Sequence, residues 1–271
     1  MNALGDLGAA IMSPLYLAIS AVLVGWYRLF TEILGLGAYD GLAWVLSIIG
    51  LTLVVRTALI PLFVKQIKSS RNLQLIQPKV KELQKQHGHD RERLAQETMK
   101  LYRETGTNPF ASCLPIVIQM PVFLALFRLL DQAARDGTGH GVLTGGLATR
   151  FGDARLWGEL PISASFFGAD GILGVQVLAA VLVVAMTATT FLTQRQLMSR
   201  NMPQDALSGP YARQQRTLLY VLPVVFAGGG IAFPIGVLIY WTTSNLWTMC
   251  QQLYVIRNNP APGTPAMRPD D

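Results

Sequence analysis

Apolar residues occur along the chain in five long runs that are separated by polar and charged segments. The runs cover about residues 41–64, 110–130, 172–194, 216–230 and 233–256. A helix that crosses a bilayer needs about 20 predominantly apolar residues, and the first three runs have about that length. The last two together share only the 41 residues 216–256, so each is barely long enough to cross, and Gly228–Gly230 with Pro234 predict a tight turn between two helices. The pattern predicts an all-α polytopic membrane protein with five transmembrane helices.

The N-terminal segment, residues 1–38, contains a further apolar stretch, Ala9–Tyr27, that the pattern alone does not assign. Pro14 lies early in this stretch, and Arg28 follows it directly. A signal peptide would need a basic segment in front of the apolar stretch, and none is present. We favour a helix that lies at the outer membrane interface, with its terminal aromatic pair at headgroup level. A sixth transmembrane span is the alternative.

Residues 65–109 are predicted to form a helical hairpin outside the membrane. Apolar residues recur three and four positions apart in its first half, at Leu73, Ile76, Val80 and Leu83. A turn is expected at 87–90, where Asp90 can cap the second helix, and Gly106 can end that helix. Pro78 is expected to kink the first helix.

The distribution of Lys and Arg predicts how the chain crosses the membrane. Segment 65–109 contains ten basic and five acidic residues, and 195–216 contains four and one, whereas 131–171 contains three and five. The positive-inside rule places the first two segments in the cytoplasm and 131–171 outside. With five spans, the N-terminus is then outside and the C-terminal tail, residues 257–271, is cytoplasmic.

Composition supports a membrane protein rather than a nucleic-acid-binding one. Hydrophobic residues make up 51% of the chain and charged residues only 14%. Soluble domains contain about 25% charged residues. The net charge of +6 comes from basic residues between the apolar runs. This placement is typical of membrane topology signals, so no specific nucleic-acid partner is expected. Cys113 and Cys250 lie far apart without metal-ligand spacing.

The sequence lacks the residues that intramembrane enzymes and ion-coupled transporters need. All three histidines, His87, His89 and His140, fall outside the apolar runs. No hydrolase, zinc-protease or phosphate-binding motif is present. The runs also contain no pair of acidic residues that could relay protons or sodium ions. We therefore expect a protein that is not an enzyme and needs no cofactor or metal.

Arg56 is the most informative residue, because it is a charge within an apolar run that contains no acid. Placing an arginine at the centre of a bilayer costs about 2.5–3.5 kcal/mol on insertion scales, so such residues usually face a wet cavity or serve a function. Neutral polar residues in the other runs either hydrogen-bond between helices or line a cavity with Arg56. The sequence leaves both roles open for the threonines between 187 and 193.

Several stretches, in order, resemble the YidC/Oxa/Alb family of membrane protein insertases, particularly its actinobacterial members. The matching stretches are Val55–Leu62 with Lys65 and Gln66, Leu75–Pro78, Gly106–Pro121, Phe233–Pro234, Tyr240–Asn245 and Gln251–Gln252. They extend over about residues 40–256, which makes the match far more specific than any single motif.

The resemblance implies five spans around a hydrophilic groove that is open to the cytoplasm and to lipid and closed on the outer side. Arg56 matches the family's groove arginine, which attracts acidic residues in the tail of a nascent membrane protein. Gln119, Gln194, Trp241 and Asn245 match further groove positions. The hydrophobic span of the client would then move sideways into lipid, so that its own burial drives insertion.

The expected organisation is an N-terminal interfacial helix over residues 1–38, an insertase core over 39–256 and a disordered tail over 257–271. The expected partners are nascent membrane proteins, the Sec translocon, membrane lipids and the ribosome. Because the tail contains only two arginines and two aspartates, ribosome contacts would fall to the basic hairpin, residues 65–109. The expected location is the bacterial plasma membrane. Alternative functions are a small-solute channel or uncoupled transporter, and a scaffold for helix association.

Overall fold

The computed structural model describes residues 3–106, 114–201 and 227–258, together with 217, 220, 221 and 223–225, and these are mostly helical. The long helices are α1 (Ala3–Arg28), α2 (Gly41–Ala58), α3 (Ile60–His87), α4 (Arg91–Glu104), α5 (Leu114–Asp136), α7 (Leu173–Asn201) and α8 (Ile235–Asn258). A π-helical turn, Leu29–Ile33, extends α1. Between α5 and α7 lie the short helix α6 (Gly145–Asp153) and the strands β1 (Arg155–Leu156) and β2 (Leu160–Pro161), which pair antiparallel.

Helices α2, α7 and α8 run in the same direction, and α5 runs against them. Gly236 and Ser244, in that order along α8, lie beside Ile48 and Arg56 of α2. Thr242 and Asn245 bond in the same order to Leu182 and Thr190 of α7. Phe233 and Trp241 pack in the reverse order against Phe127 and Phe123 of α5. The bundle therefore has two distinct ends. We call the end next to residues 137–172 the cap end, and the end from which α3 and α4 extend the hairpin end.

The first predicted span, 41–64, contains a helix boundary near its end, because α2 stops at Ala58 and α3 begins at Ile60. Pro61 lies in the first turn of α3. A proline ring clashes with the carbonyl four residues before it, here that of Thr57. The backbone therefore turns at Leu59 and restarts as α3. Arg56 lies in the last turn of α2, where the helix dipole favours a cation.

The helical hairpin is confirmed in α3 and α4. The Asp90 carboxylate accepts hydrogen bonds from the N–H groups of Glu92 (3.1 Å) and Arg93 (3.0 Å), as a helix N-cap should. These bonds, that from Arg93 most of all, lower the pKa of the Asp90 carboxyl below its ordinary value. Gly106 follows α4 with a φ of 62°. Glycine adopts this left-handed conformation without strain.

Residues 137–172, predicted only as a loop within 131–171, fold against the cap end. The N–H groups of Ile235 and Gly236, at the start of α8, donate to the carbonyls of Ala164 (2.9 Å) and Ile162 (3.0 Å). The ring of Phe151 in α6 meets Trp44 of α2 edge-on at 5.2 Å between centroids. These contacts tie the segment to two long helices.

The largest fully buried side chains lie mainly at this cap end. They are contributed by α1, α2, α5, the 137–172 segment and α8, and they include Leu23, Trp44, Ile48, Leu126, Leu129, Leu130, Leu143, Phe151, Ile162 and Ile235. By contrast, Val177, Val181 and Val184 on one face of α7 are more than half exposed. An exposed apolar face is what a helix presents to lipid.

Side chains from well-separated turns of α1 contact the cap end. The Tyr16 ring stacks on His140 at 4.4 Å between centroids, and the Ser20 hydroxyl accepts a 2.8 Å bond from the N–H of Val142. The Tyr27 ring stacks on Trp44 at 3.9 Å. Tyr16 and Tyr27 are about 16 Å apart along a helix axis, yet both touch the same end of the bundle. This geometry fits a helix lying across the cap end.

Three described helices are long and apolar enough to cross a membrane, at Met12–Ile33, Gly41–Ala58 and Leu173–Gln196. The first of these belongs to α1 and is long enough to cross the membrane, so the interfacial position of α1 stays a prediction. The predicted spans near 110–130 and 233–256 correspond to α5 and α8, and the turn between the last two spans lies at 231–234. The span 216–230 lies partly outside the described residues, and residues 259–271 of the predicted tail lie wholly outside them.

Candidate functional site: a polar cluster at the hairpin end

Arg56 reaches from the end of α2 to α8. Its Nε donates to the hydroxyl oxygen of Ser244 at 3.0 Å, and a terminal guanidinium nitrogen donates to the same oxygen. The guanidinium carbon lies 5.9 Å from the centre of the Phe63 ring on α3. Among the described residues, no carboxylate forms a salt bridge with Arg56. The partner of this partly buried cation is therefore a neutral hydroxyl.

A second set of hydrogen bonds joins α8 to α7. The amide nitrogen of Asn245 donates to the Thr190 hydroxyl at 2.9 Å and to the Met186 carbonyl at 3.3 Å. One turn earlier, the Thr242 hydroxyl donates to the Leu182 carbonyl at 3.4 Å. Polar side chains commonly hold transmembrane helices together in this way. Thr190 therefore has both roles that the sequence left open for these threonines. It hydrogen-bonds between helices, and it lines the cavity described next.

A cavity of about 220 Å³ lies between the hairpin-end halves of α7 and α8. Every residue that lines it has a polar side chain: Thr190, Thr193, Gln194, Asn245, Thr248 and Gln252. The side-chain oxygen of Gln252 is shielded from solvent and has no hydrogen-bond partner among the described residues. A shielded acceptor without a donor is rare in folded proteins and indicates room for a polar ligand.

Trp241 and Gln119 lie on the α5 side of α8. The Trp241 ring packs edge-on against Phe123 at 5.6 Å between centroids and lies 5.8 Å from Phe233. Gln119 precedes Phe123 by four residues and so shares its face of α5. The Gln119 side-chain oxygen is also shielded and lacks a partner within the described part of the chain. Trp241, on the side of α8 that faces α5, and Gln119, on α5, therefore lie outside the cavity that Gln194 and Asn245 line.

Sequence reasoning proposed five site residues but did not identify Ser244 as the partner of Arg56. It also omitted Thr248 and Gln252 from the proposed site, although their spacing carried the signal. Asn245, Thr248 and Gln252 are three and seven residues apart and fall on one face of α8. Thr190, Thr193 and Gln194 form the matching face of α7, so two facing polar stripes define the cavity.

The fold and the cluster define an all-α, multi-pass membrane protein with an apolar, packed cap end and a polar site near its other end. Residues 36–262 match the family model described as 60Kd inner membrane protein. The chain belongs to this family. It is thereby a multi-pass protein of a bacterial membrane.

Curated relatives carry the name membrane protein insertase YidC. One from Streptomyces avermitilis is 44% identical over 96% of this chain and 62% of its own length. Another from Tropheryma whipplei strain Twist is 39% identical over 94% of this chain and 86% of its own length. The chain thus spans less than two thirds of the Streptomyces relative.

A solved structure described as an active YidC insertase, with its first transmembrane domain resolved, has a similar fold. The TM-score is 0.50 at 23% identity, and the match covers 88% of this chain and 46% of the other. At this identity the likeness concerns the fold. It agrees with the predicted all-α polytopic architecture.

Proposed function

We propose that this chain is a membrane protein insertase, in which the polar cluster around Arg56 takes up a short polar segment of a nascent membrane protein. The names of the relatives support this function. The observation that carries the mechanism is the bond between Arg56 and a neutral serine. A carboxylate forms a stronger, charge-assisted bond with a guanidinium than a hydroxyl does, so an acidic client segment can displace Ser244.

The polar cavity extends the site for the rest of the client's polar segment. Gln194, Asn245 and Gln252 line this space and offer amide donors and acceptors to a backbone that has left water. Gln119 and Trp241 contact the segment from the α5 side in this proposal. The client's hydrophobic span then enters lipid sideways, and the transfer of its apolar surface out of water drives insertion. No nucleotide, cofactor or enzymatic step is required.

The proposed topology places the cap end outside and the hairpin in the cytoplasm, with the N-terminus outside and the C-terminus inside. The excess of Lys and Arg in 65–109 supports this orientation. The contacts of Tyr16 and Ser20 in α1 with residues 140–142 support an interfacial α1, which keeps the N-terminus outside in this proposal. The cavity then faces the compartment in which nascent chains are made.

The ribosome, the Sec translocon and membrane lipids are the proposed partners. The hairpin has exposed basic side chains that offer contacts to ribosomal phosphates. They are Lys79, Lys85, Arg91, Arg93, Lys100 and Arg103. The Sec translocon would act with this chain on clients whose polar segments are too long for the cavity. No observation favours the alternative of a small-solute channel or uncoupled transporter.

The test compares Arg56→Ala with Arg56→Lys and with Arg128→Ala, a control at an exposed arginine of α5. Cells depleted of their own insertase receive each variant together with a client that has either an acidic or a neutral tail. Arg56→Ala loses one charge-assisted bond of about 1.4 kcal/mol, so it should insert the acidic client about tenfold less than wild type does. The neutral client and the control should be unaffected.

A photocrosslinker at Thr193 reports directly whether client segments enter the cavity. We expect crosslinks to the client's polar tail that weaken in Arg56→Ala. Full insertion of the acidic client by Arg56→Ala would refute the charge mechanism. An absence of crosslinks from the wild-type cavity would refute the proposed insertase site itself.

A further inference from the structure

A second cavity, of about 450 Å³, lies at the cap end, at the opposite end of α2 from Arg56. It is lined by Tyr39, Asp40, Leu42, Asp153, Arg155 and Trp157. These residues come from the start of α2, the end of α6 and the β1–β2 hairpin. The proposed insertase function uses none of them.

The two walls of this cavity are held together by the backbone. The N–H of Arg155 donates to the carbonyl of Tyr39 at 3.2 Å, and Asp40 forms an isolated parallel bridge with Arg155. The Asp40 carboxylate also caps α2 by accepting a 2.8 Å bond from the N–H of Leu42. The lining residues are therefore positioned by main-chain bonds.

The cavity lies where a membrane span meets water. Asp40 is the N-cap of α2, a helix long and apolar enough to cross a membrane, so its carboxylate marks the end of that span. Tyr39 is 59% exposed and Trp157 is 78% exposed on the polar side of this boundary. Leu42 is 40% exposed on the apolar side. Amphipathic aromatic rings are typical of the headgroup layer.

Trp157 has an unusual backbone conformation. Its φ is 52°, Gly158 follows with a φ of 78°, and the N–H of Glu159 closes the turn on the carbonyl of Leu156 at 3.1 Å. Such a turn favours glycine or asparagine, and a bulky residue with positive φ is a genuine outlier. The exposure of the ring shows that core packing does not explain the tryptophan. Strained residues of this kind concentrate at binding sites.

The charged groups of the cavity are available to a ligand. Among the described residues, Arg155 forms no salt bridge with Asp40 or Asp153, although all three line the same space. We propose that the cavity binds the headgroup of a zwitterionic phospholipid, phosphatidylethanolamine, from the leaflet at the cap end. The lipid phosphate bonds to the Arg155 guanidinium. The lipid ammonium lies between the Asp153 carboxylate and the faces of Trp157 and Tyr39, and the acyl chains pass Leu42.

The test uses the full chain, purified in detergent. It is supplied with equal amounts of phosphatidylethanolamine and phosphatidylglycerol that have identical acyl chains. Native mass spectrometry counts the retained lipids. Wild type should retain phosphatidylethanolamine over phosphatidylglycerol by about tenfold, the effect of one charge-assisted bond. Asp153→Asn should lose this preference, and Arg155→Gln should weaken retention of both lipids. Glu159→Gln and Arg93→Gln, which change exposed charges outside the cavity, should match wild type.

Trp157→Gly separates binding from folding. Glycine fits the backbone at this position, so we expect an equal or higher melting temperature together with weaker retention of phosphatidylethanolamine. If Trp157→Gly retained phosphatidylethanolamine as wild type does, the proposal would be overturned. Equal retention of the two lipids by wild type would also overturn it. Soluble glycerophosphoethanolamine should not displace the lipid at equal concentration. Displacement would show that a free headgroup, rather than the membrane lipid, is the ligand.

Discussion

Among the described residues, no acidic side chain neutralises Arg56, and Ser244 satisfies only part of its hydrogen-bonding capacity. A guanidinium has five N–H donors, and the Ser244 hydroxyl accepts from two of its nitrogens without neutralising the charge. The position of Arg56 also lowers the cost of this cation, because it lies in the last turn of α2, where the helix dipole favours a positive charge. The residue is thus stable without a client and still attractive to a carboxylate.

At the same scale, the bond between Asn245 and Thr190 should couple the two residues energetically. Asn245→Ala and Thr190→Val, alone and combined, form a double-mutant cycle on the free energy of unfolding of the purified protein. We expect a coupling of about 0.6 kcal/mol, the average for hydrogen bonds between membrane helices. Thr149→Val serves as the matched control, because its hydroxyl bonds only to Gly145 within α6. Strict additivity of the Asn245 and Thr190 changes would contradict the bond.

At the scale of elements, close approach between helices depends on small residues. Gly50 of α2 faces the Trp26 ring of α1, and a Cβ atom added at Gly50 would lie 2.8 Å from that ring. Gly25, the neighbour of Trp26, has no atom within 4 Å of the position of an added Cβ. The two glycines therefore differ in role although both lie within helices.

Gly50→Ala and Gly25→Ala form a matched pair for testing how α1 packs. Alanine favours a helix over glycine by about 1 kcal/mol, so Gly25→Ala should leave the melting temperature unchanged or raise it. Gly50→Ala should lower it, because overpacking of a close contact costs about 1–3 kcal/mol. Thermal unfolding in detergent measures both. Equal effects of the two substitutions would show that α1 does not pack on α2 through Gly50.

At the scale of the whole molecule, the two ends of the bundle differ in chemistry. The cap end holds Trp44, Phe151 and their buried neighbours, and main-chain bonds tie residues 137–172 to α8. The hairpin end holds Arg56, the polar cavity and a charged helical hairpin. In the proposed mechanism, a polar segment therefore enters from the hairpin end only part of the way through the membrane.

Cysteine labelling of intact cells tests the proposed orientation. With Cys113 and Cys250 replaced by serine, single cysteines are introduced at the exposed polar positions Ser13 in α1, Thr138 just after α5 and Gln96 in α4. A membrane-impermeant maleimide should label the first two and not the third. If α1 crossed the membrane instead, Ser13 would be protected in intact cells while Thr138 was labelled. Labelling at Gln96 would reverse the whole topology.

Much of the fold followed from local patterns in the sequence. The hairpin, the Asp90 cap and the turn before α8 were predicted correctly, because capping and turn residues act over a few positions. The end of α2 was missed even though Pro61 carried the signal, because the apolar run continues through it. The α6 helix and the β1–β2 hairpin were also missed, since elements this short leave little periodicity.

The sequence by itself determined the membrane class, the family resemblance and the presence of a lone charge, Arg56, in an apolar run, because each depends on residue types and their order. Only the tertiary structure decided that Ser244 is the partner of Arg56, that two polar stripes enclose one cavity, and that residues 137–172 pack over the cap end. These features join residues far apart in the chain, such as Arg56 and Ser244. Helix direction and rotation bring such residues together, and the packing of every other helix fixes both.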